Sequence, residues 1–488
     1  MIKKSNALLI SCLLFTLCVK SEISITGKIT GSIPLKVEYT VPLNGVCFGG
    51  FKESTKTDSL GNFKITINVD KPSFVLINIP GKDGNKMVVE PGQKYRVAIN
   101  NNNEESFKIS GPNEKGQDLY RSLPNPSFVE MEFGKFKSDT TISLLKSKIA
   151  SLKSNDLTKF KTLLDLKEIS PDFFNLVAAD RNCYYSTILS RILSSQFKKY
   201  FPKYIAEFPS EKSQLLNSIF IDFPVNNEHL MSSSFWYDYT NNYLEWNEYS
   251  NKDFKLQELM DIFKNGLLNT HNIEESKKRL SEPMLEYYYA SYIFTKCIQR
   301  KYEKEFIALF EQFKTNYPQS AYTKYLEPQI TPIIEFHRKA EKPINTKIKY
   351  ADNYQNINSL KEAIAPFKGH KVYIDVWATW CGPCKDEFKN AENLNVLLNS
   401  NNIQIVYISI DKEDQDKQWK NMANFFNLEG YHIRTNEKLY NDLIKIFDQK
   451  GSISIPWYIL IDENGNILNE HASRPSELDK LKKELSNN

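Results

Sequence analysis

The sequence lacks the features that mark several common classes of protein. Its 63 lysines and arginines nearly balance its 59 aspartates and glutamates, so the formal net charge is only +4 over 488 residues. No overall positive field therefore points to a nucleic acid or an anionic surface as the partner. The chain also has no long low-complexity tract, and 41% of its residues are apolar. This composition excludes a largely disordered protein.

Long hydrophobic runs are equally scarce. One run of 13 residues, ALLISCLLFTLCV, follows Lys3 and Lys4 near the amino terminus. It is shorter than the roughly 20 apolar residues that cross a bilayer, and it predicts an export signal over residues 1–20. We therefore expect an exported protein of the periplasm or cell envelope. Because no clear small-x-small cleavage site follows the run, an uncleaved membrane anchor stays open, as does lipidation at Cys12 or Cys18.

The remaining chain is too long for one hydrophobic core and predicts several domains. Alternating runs such as FKITINV and KYRVAI, separated by turn sequences, predict an antiparallel β-sandwich-like domain over residues 21–112. Helical periodicity in LQELMDIFKNGLL and similar runs predicts an all-α middle region over 113–345. From 346 to 488 strands and helices alternate, which predicts an α/β domain with a partly parallel sheet.

Cysteines are few, and one spacing stands out among them. Cys47, Cys183 and Cys297 are widely separated and odd in number, which makes a poor disulfide framework for an exported chain. We expect them to be buried, unpaired thiols. Cys381 and Cys384, in contrast, lie two residues apart in DVWATWCGPCK, where a predicted buried strand ends and a helix begins. This is the edge of an α/β sheet at which sites usually form.

Three functions are consistent with such a pair: a metal site, a structural disulfide or a redox centre. A zinc site needs four ligands, but the sequence has no second CxxC or CxxH pair, and none of its six histidines has a matching spacing. We therefore predict neither a metal nor a cofactor. A permanent disulfide across so short a loop removes little chain entropy and would stabilise the fold weakly. At a helix amino terminus a thiolate is favoured, which supports reversible dithiol chemistry.

These residues resemble a known family. WCGPCK, with Asp375 on the preceding strand and Ile455-Pro456 later in the chain, resembles the thioredoxin fold. Together with the export signal and IPWYILIDENGNI, the pattern is similar to the extracytoplasmic TlpA-like and ResA-like thiol-disulfide oxidoreductases. The amino-terminal extension resembles the multidomain members of the Bacteroidetes envelope. The resemblance is strong over residues 346–488 and weak over 22–112.

The resemblance implies a role for each matching residue. Cys381 would attack the substrate disulfide, Cys384 would resolve the mixed disulfide, and Asp375 would accept the proton of Cys384. A buried strand aspartate with a purely structural hydrogen bond is the alternative for Asp375. Pro456 matches the family's cis-proline, which would present the backbone of Ile455 to the substrate.

Four further positions carry weaker implications. Trp380 matches an aromatic position that packs around the site, and Trp457 flanks the site after Pro456; we expect both to contact the substrate. Glu387 matches an acidic position that would tune the pKa of the cysteines, although an exposed helix glutamate is an equal alternative. Lys389 stands where the family often has a proline that kinks the helix, so we expect a straighter helix here.

The resemblance also implies partners and a direction. A Gly-Pro dipeptide between the cysteines is typical of reductive members, which favours a protein-disulfide reductase acting on disulfide-containing or thiol proteins. Its electrons would come from a membrane donor, and a homodimer and a membrane tether both stay open. The alternative is an envelope protein that binds a peptide or glycan and uses the thioredoxin-like domain as a passive scaffold.

Overall fold

The computed structural model describes most of the chain, namely residues 21–44, 50–79, 84–102, 106–126, 129–136, 141–200, 208–251, 253–341, 343, 345–447 and 452–487. The predicted export signal over 1–20, which contains Cys12 and Cys18, lies outside these residues, as does Cys47. No helix among the described residues is both long enough and apolar enough to cross a membrane. The chain divides into two compact units, residues 1–291 and 292–488.

The first unit begins with strands whose alternating side chains are buried and exposed, as in NFKITINV. Its described strands are β1 (Ser21–Thr30), β2 (Lys36–Thr40), β3 (Lys52–Lys56), β4 (Asn62–Val69), β5 (Ser73–Asn78), β6 (Asn85–Val89), β7 (Lys94–Asn100) and β8 (Phe107–Ser110). They form two sheets, ordered β4-β1-β7-β8 and β3-β2-β5-β6. Apolar side chains of both sheets share one core. The prediction of wholly antiparallel strands is wrong, because β1 and β7 pair in parallel.

Helices follow the sheets. They are α1 (Glu114–Ser122), α2 (Ile142–Asp165), α3 (Pro171–Tyr200), α4 (Ser210–Asp222), α5 (Glu228–Met231), α6 (Trp236–Tyr249), α7 (Leu256–Lys264), α8 (Leu268–Lys277) and α9 (Met284–Ile298). The aromatic segment around α6 packs inward, with Trp236 and Tyr239 fully buried. Cys183 on α3 and Cys297 on α9 are buried free thiols, as expected from their spacing.

The second unit contains a mixed sheet in the order β14-β13-β10-β11-β12-β9. Its strands are β9 (Ile348–Tyr350), β10 (Val372–Trp377), β11 (Gln404–Ser409), β12 (Gly430–Arg434), β13 (Trp457–Ile461) and β14 (Ile467–Asn469). Strands β10, β11, β12 and β9 run parallel, whereas β13 and β14 are antiparallel to their neighbours. All six residues of β10 are buried, as expected for a central strand covered on both faces.

Helices flank this sheet. They are α10 (Glu305–Asn316), α11 (Thr323–Ala340), α12 (Leu360–Ile364), α13 (Gly382–Glu387), α14 (Ala391–Ser400), α15 (Asp416–Phe425), α16 (Glu437–Phe447) and α17 (Leu478–Asn487). The straight helix expected after the cysteines is wrong, because a 3₁₀ turn over Phe388–Asn390 separates α13 from α14. Phe388 turns inward against Trp377, with ring centroids 5.0 Å apart. Asn390 Nδ2 donates to the Glu387 carbonyl at 3.4 Å and so competes with a regular helical bond.

Candidate active site

The two cysteines lie directly beyond the carboxyl end of β10. Cys381 is the N-cap residue of α13, and Cys384 follows in the first turn, linked to it by a disulfide bond. The backbone N–H of Cys384 donates to Cys381 Sγ at 3.1 Å. Pro383 occupies the first turn, where its missing N–H costs no hydrogen bond. The geometry therefore offers a donor to the sulfur that would carry negative charge in the reduced state.

Trp380, which precedes Cys381, is the exposed aromatic residue next to the two cysteines. The Trp380 side chain is 53% exposed, whereas Cys381 beside it is only 4% exposed. On the neighbouring strand Trp457 pairs with Val376 of β10. The antiparallel register carries Ile455 and Pro456 to the same sheet edge as the cysteines, and the peptide bond between them is cis. Trp380, Ile455 and Pro456 are therefore at least partly exposed next to the cysteines.

Trp457 is not part of that surface. Its side chain is 2% exposed, and its indole Nε1 donates to the Glu470 carbonyl at 2.6 Å. Its ring also packs against that of Phe447, with centroids 5.0 Å apart. The burial of Trp457 places it beneath the cis-proline segment, where it supports the backbone rather than offering a contact to solvent.

Asp375 lies behind the cysteines in the middle of β10. It is 1% exposed and pairs across the sheet with Tyr407 on β11 and Tyr458 on β13. Its Oδ1 atom has no hydrogen-bond partner within the described part of the chain. Burial raises the pKa of Asp375 well above its usual value, and the nearby charge of Glu387 adds to the shift. In its ionised form a carboxyl group with a raised pKa is a stronger base and can accept a proton from a thiol.

Glu387 lies at the end of α13 and is also buried, at 8% exposure. The exposed helix glutamate considered as the alternative is therefore wrong. Its carboxylate accepts hydrogen bonds from both the backbone N–H (2.9 Å) and the hydroxyl (3.0 Å) of Ser476. Arg474 Nη1 lies 4.0 Å from Glu387 Oε1. These contacts hold a second acidic group near Asp375.

Asp411 is a site residue that the sequence analysis missed. It follows β11 and accepts from the backbone N–H of Thr379 (2.8 Å), from the Thr379 hydroxyl (2.8 Å) and from the Ser409 hydroxyl (2.7 Å). Thr379 precedes Trp380 and Cys381 in the chain. The hydrogen bonds to Asp411 therefore hold the turn that leads from β10 to the cysteines. The available signal was its position at the carboxyl end of the strand next to β10.

Lys385 was missed as well. Although it follows Cys384 on a short helix, the residue is fully buried. Its Nζ donates to the backbone carbonyl of Arg300 and lies 5.5 Å from the centroid of the Tyr302 ring. Burial lowers the pKa of Lys385 to about 8, and the charge of Arg300 contributes. No sequence pattern marks a lysine for burial at this position.

Known proteins resemble this region. The family model for redoxin matches residues 341–485. Thiol-disulfide oxidoreductase ResA from Bacillus thuringiensis is 27% identical over 124 residues, which cover 25% of this chain and 67% of that protein. Thioredoxin-like protein YneN from Bacillus subtilis is 26% identical over 118 residues, 24% of this chain and 65% of that protein.

A solved structure is also similar to part of the chain. The solution structure of a Bacteroides vulgatus protein named as a thiol-disulfide oxidoreductase is 31% identical, covers 25% of this chain and 77% of that chain, and has a TM-score of 0.23. The redoxin match and the ResA relatives define a thioredoxin-like oxidoreductase domain over residues 341–485. These matches support a TlpA-like or ResA-like domain of the thioredoxin family over residues 341–485.

Proposed function

We propose that this chain is an exported protein-disulfide reductase of the cell envelope. The observation that carries the proposal is the Cys381–Cys384 pair at the end of β10, with the buried carboxyl of Asp375 behind it. The apolar run over 7–19 supports export. The Gly-Pro dipeptide between the cysteines supports the reductive direction, because it is typical of the reductive members of this family.

The reaction begins with the reduced pair. The Cys381 thiolate attacks one sulfur of a substrate disulfide, a mixed disulfide forms, and the other substrate sulfur leaves as a thiolate that takes up a proton. Cys384 then gives its proton to Asp375, attacks Cys381 Sγ and releases the second substrate sulfur as a thiolate, which also takes up a proton. Two electrons pass to the substrate, which becomes a dithiol, while the Cys381–Cys384 disulfide forms. A dithiol donor at the membrane would return the enzyme to its reduced state.

The residues around the pair have distinct tasks in this scheme. Trp380 offers an exposed apolar face, and Ile455-Pro456 offers backbone to an extended substrate chain. Trp457 supports that segment from beneath. Glu387 keeps negative charge near Asp375, which favours the protonated carboxyl and thereby tunes proton transfer from the cysteines.

The rest of the chain would choose the substrates. We divide it into an export signal over 1–20, a β-sandwich-like domain over 21–112, a helical region over 113–345 and the thioredoxin-like domain over 346–488. The regions before 346 would select protein substrates or form a homodimer. If residues 346–488 alone matched the full chain in substrate range and oligomeric state, this assignment would fail.

An insulin-reduction assay with dithiothreitol as electron source tests the proposal. The full chain should accelerate the reduction of insulin, and Cys381→Ser should abolish the acceleration without changing the far-ultraviolet circular dichroism spectrum. Activity that survives Cys381→Ser would contradict the catalytic assignment. It would favour the alternative of a peptide- or glycan-binding envelope protein with a passive thioredoxin-like scaffold.

A further inference from the structure

The loop between α9 and α10, residues 299–304, contacts the active-site helix although it precedes the matched redoxin region. We refer to it as the 299–304 loop. Arg300 and Tyr302 both have left-handed backbone conformations, with φ of 55° and 57°. Such conformations are uncommon for residues other than glycine and need support from neighbouring structure. The loop is therefore held in one shape at an energetic cost.

Contacts within the second unit supply that support. His337 Nε2 donates to the Tyr302 carbonyl at 2.8 Å, and Gln418 Nε2 donates to the Lys301 carbonyl at 3.2 Å. The Tyr302 ring packs against Phe336 and Phe425, with centroids 5.0 and 5.5 Å apart. The 299–304 loop is thus fixed by α11 and α15 before it meets α13.

The loop meets α13 at two adjacent charged residues. The Arg300 guanidinium forms an ion pair with Asp386, and the Arg300 carbonyl accepts from Lys385 Nζ. The Tyr302 ring covers the same ammonium group. Lys389, which lies on the turn after α13, provides a contrast, because its side chain is 64% exposed and pairs only with Asp386 among the described residues. The loop therefore shields Lys385 from water, whereas Lys389 stays exposed.

A buried ammonium acts on its surroundings more strongly than an exposed one, because less water screens its field. Arg300 and Lys301 add positive charge near Lys385, whereas Asp411 and Glu303 oppose it. Lys385 follows Cys384 directly in the chain, so the loop fixes a buried positive charge on the same short helix that carries the dithiol. A positive charge there stabilises a thiolate and hence the reduced form of the pair.

We propose that the 299–304 loop is a positioning element of the redox centre, which holds the buried Lys385 ammonium on the helix of the cysteines and thereby stabilises the Cys381 thiolate. This inference rests on the proposed dithiol function. It extends the redox unit upstream of the redoxin match and assigns Arg300 and Tyr302 positioning roles that act through Lys385. Stabilising the reduced form makes the pair more oxidising than it would be without the loop.

The first test compares Lys385→Met with Lys389→Met in the full chain. We expect Lys385→Met to slow alkylation of Cys381 by iodoacetamide at pH 7 by at least about threefold, because less thiolate is present. The equilibrium constant with glutathione should shift toward the protein disulfide by at least about threefold, roughly 15 mV for this two-electron couple. Lys389→Met should leave both quantities unchanged. An equal effect of the two substitutions, or none from Lys385→Met, would overturn the proposal.

The second test removes the Tyr302 ring, which covers the Lys385 ammonium, and keeps the lysine. Tyr302→Ala should change the alkylation rate and the glutathione equilibrium in the same direction as Lys385→Met, whereas Tyr302→Phe, which keeps the ring, should change neither. The double variant Lys385→Met/Tyr302→Ala should show no shift beyond that of Lys385→Met, since the loop acts through the lysine. Additive shifts would contradict this route. A wild-type pair that never equilibrates with glutathione would instead contradict the proposed function.

Discussion

Both carboxylate oxygens of Glu387 accept hydrogen bonds from Ser476, one from the backbone N–H at 2.9 Å and one from the hydroxyl at 3.0 Å. The two residues are 89 positions apart in the chain, so the segment before α17 closes over the end of the active-site helix. Two donors satisfy a carboxylate that would otherwise be costly to bury. The charge of Glu387 opposes the ionisation of Asp375.

Glu387→Gln tests this electrostatic link. The neutral side chain no longer opposes the negative charge of Asp375, so the pKa of Asp375 should fall. Because resolution by Cys384 needs the carboxylate form of Asp375, the rise of the resolution rate with pH should move to lower pH. Stopped-flow measurement of mixed-disulfide decay between pH 5 and 9 gives the profile. The exposed Glu392→Gln is the matched control, and an identical shift in both variants would refute the link.

Asp375→Asn should separate stability from catalysis. The folded pKa of Asp375 is raised above its unfolded value, so the native state binds the extra proton, and stability is lost as pH rises toward the folded pKa. Asparagine removes this cost and should stabilise the oxidised protein at pH 8 by on the order of 1–3 kcal/mol. Urea unfolding at pH 5 and pH 8 measures the difference, which should be larger at pH 8.

The same substitution should slow the resolution step by about 100-fold, because Cys384 loses its proton acceptor. The exposed Asp352→Asn should affect neither stability nor rate. A variant that resolved at the wild-type rate would show that Asp375 is only a structural residue.

Substitutions of the two cysteines should have different effects on the mixed disulfide with substrate. Cys384→Ser keeps the attacking thiol but cannot resolve, so it should accumulate a mixed disulfide with substrate that is visible on non-reducing gels. Cys381→Ser should form none. Cys297→Ala is the control, since burial raises the pKa of the Cys297 thiol to about 12 and keeps it protonated. A mixed disulfide in Cys381→Ser would place the attacking sulfur elsewhere.

Trp380 should act on substrate affinity rather than on chemistry. Trp380 precedes Cys381 and is 53% exposed, so Trp380→Ala should raise KM for a protein substrate by about tenfold, equivalent to about 1.4 kcal/mol, with little change in kcat. Leu35→Ala, which truncates a side chain that is 91% exposed on the first unit, should leave KM unchanged. A fall in kcat with constant KM would instead assign Trp380 to the reaction step.

The reactive part of the site was predictable because its chemistry is local. Cys381 and Cys384 have a spacing that carries a reaction, and Asp375 is a charged residue inside a buried apolar run. The strands with clear alternation, such as β4 and β7, were predictable for the same reason.

The remaining features depend on tertiary contacts. Strand β12, GYHIR, is only five residues long and buries His432 and Arg434 as well as Ile433, so its place in the sheet depends on its pairing with β11 and β9. Lys385 and Glu387 belong to residue types that are normally exposed on a short helix. Their burial results from segments far away in the sequence, residues 300–302 and Ser476. No sequence pattern near the cysteines predicts either contact.

The reduction potential of the Cys381–Cys384 couple tests the central claim most directly. The full chain would be equilibrated in dithiol buffers of known potential, and its free thiols would be counted by mass after alkylation. A reductase fed by a membrane donor should have a value of about −250 mV or lower, near that of thioredoxin at about −270 mV. A value near about −120 mV would make the protein an oxidant and contradict the proposed direction. A pair that never cycles would contradict the redox function itself.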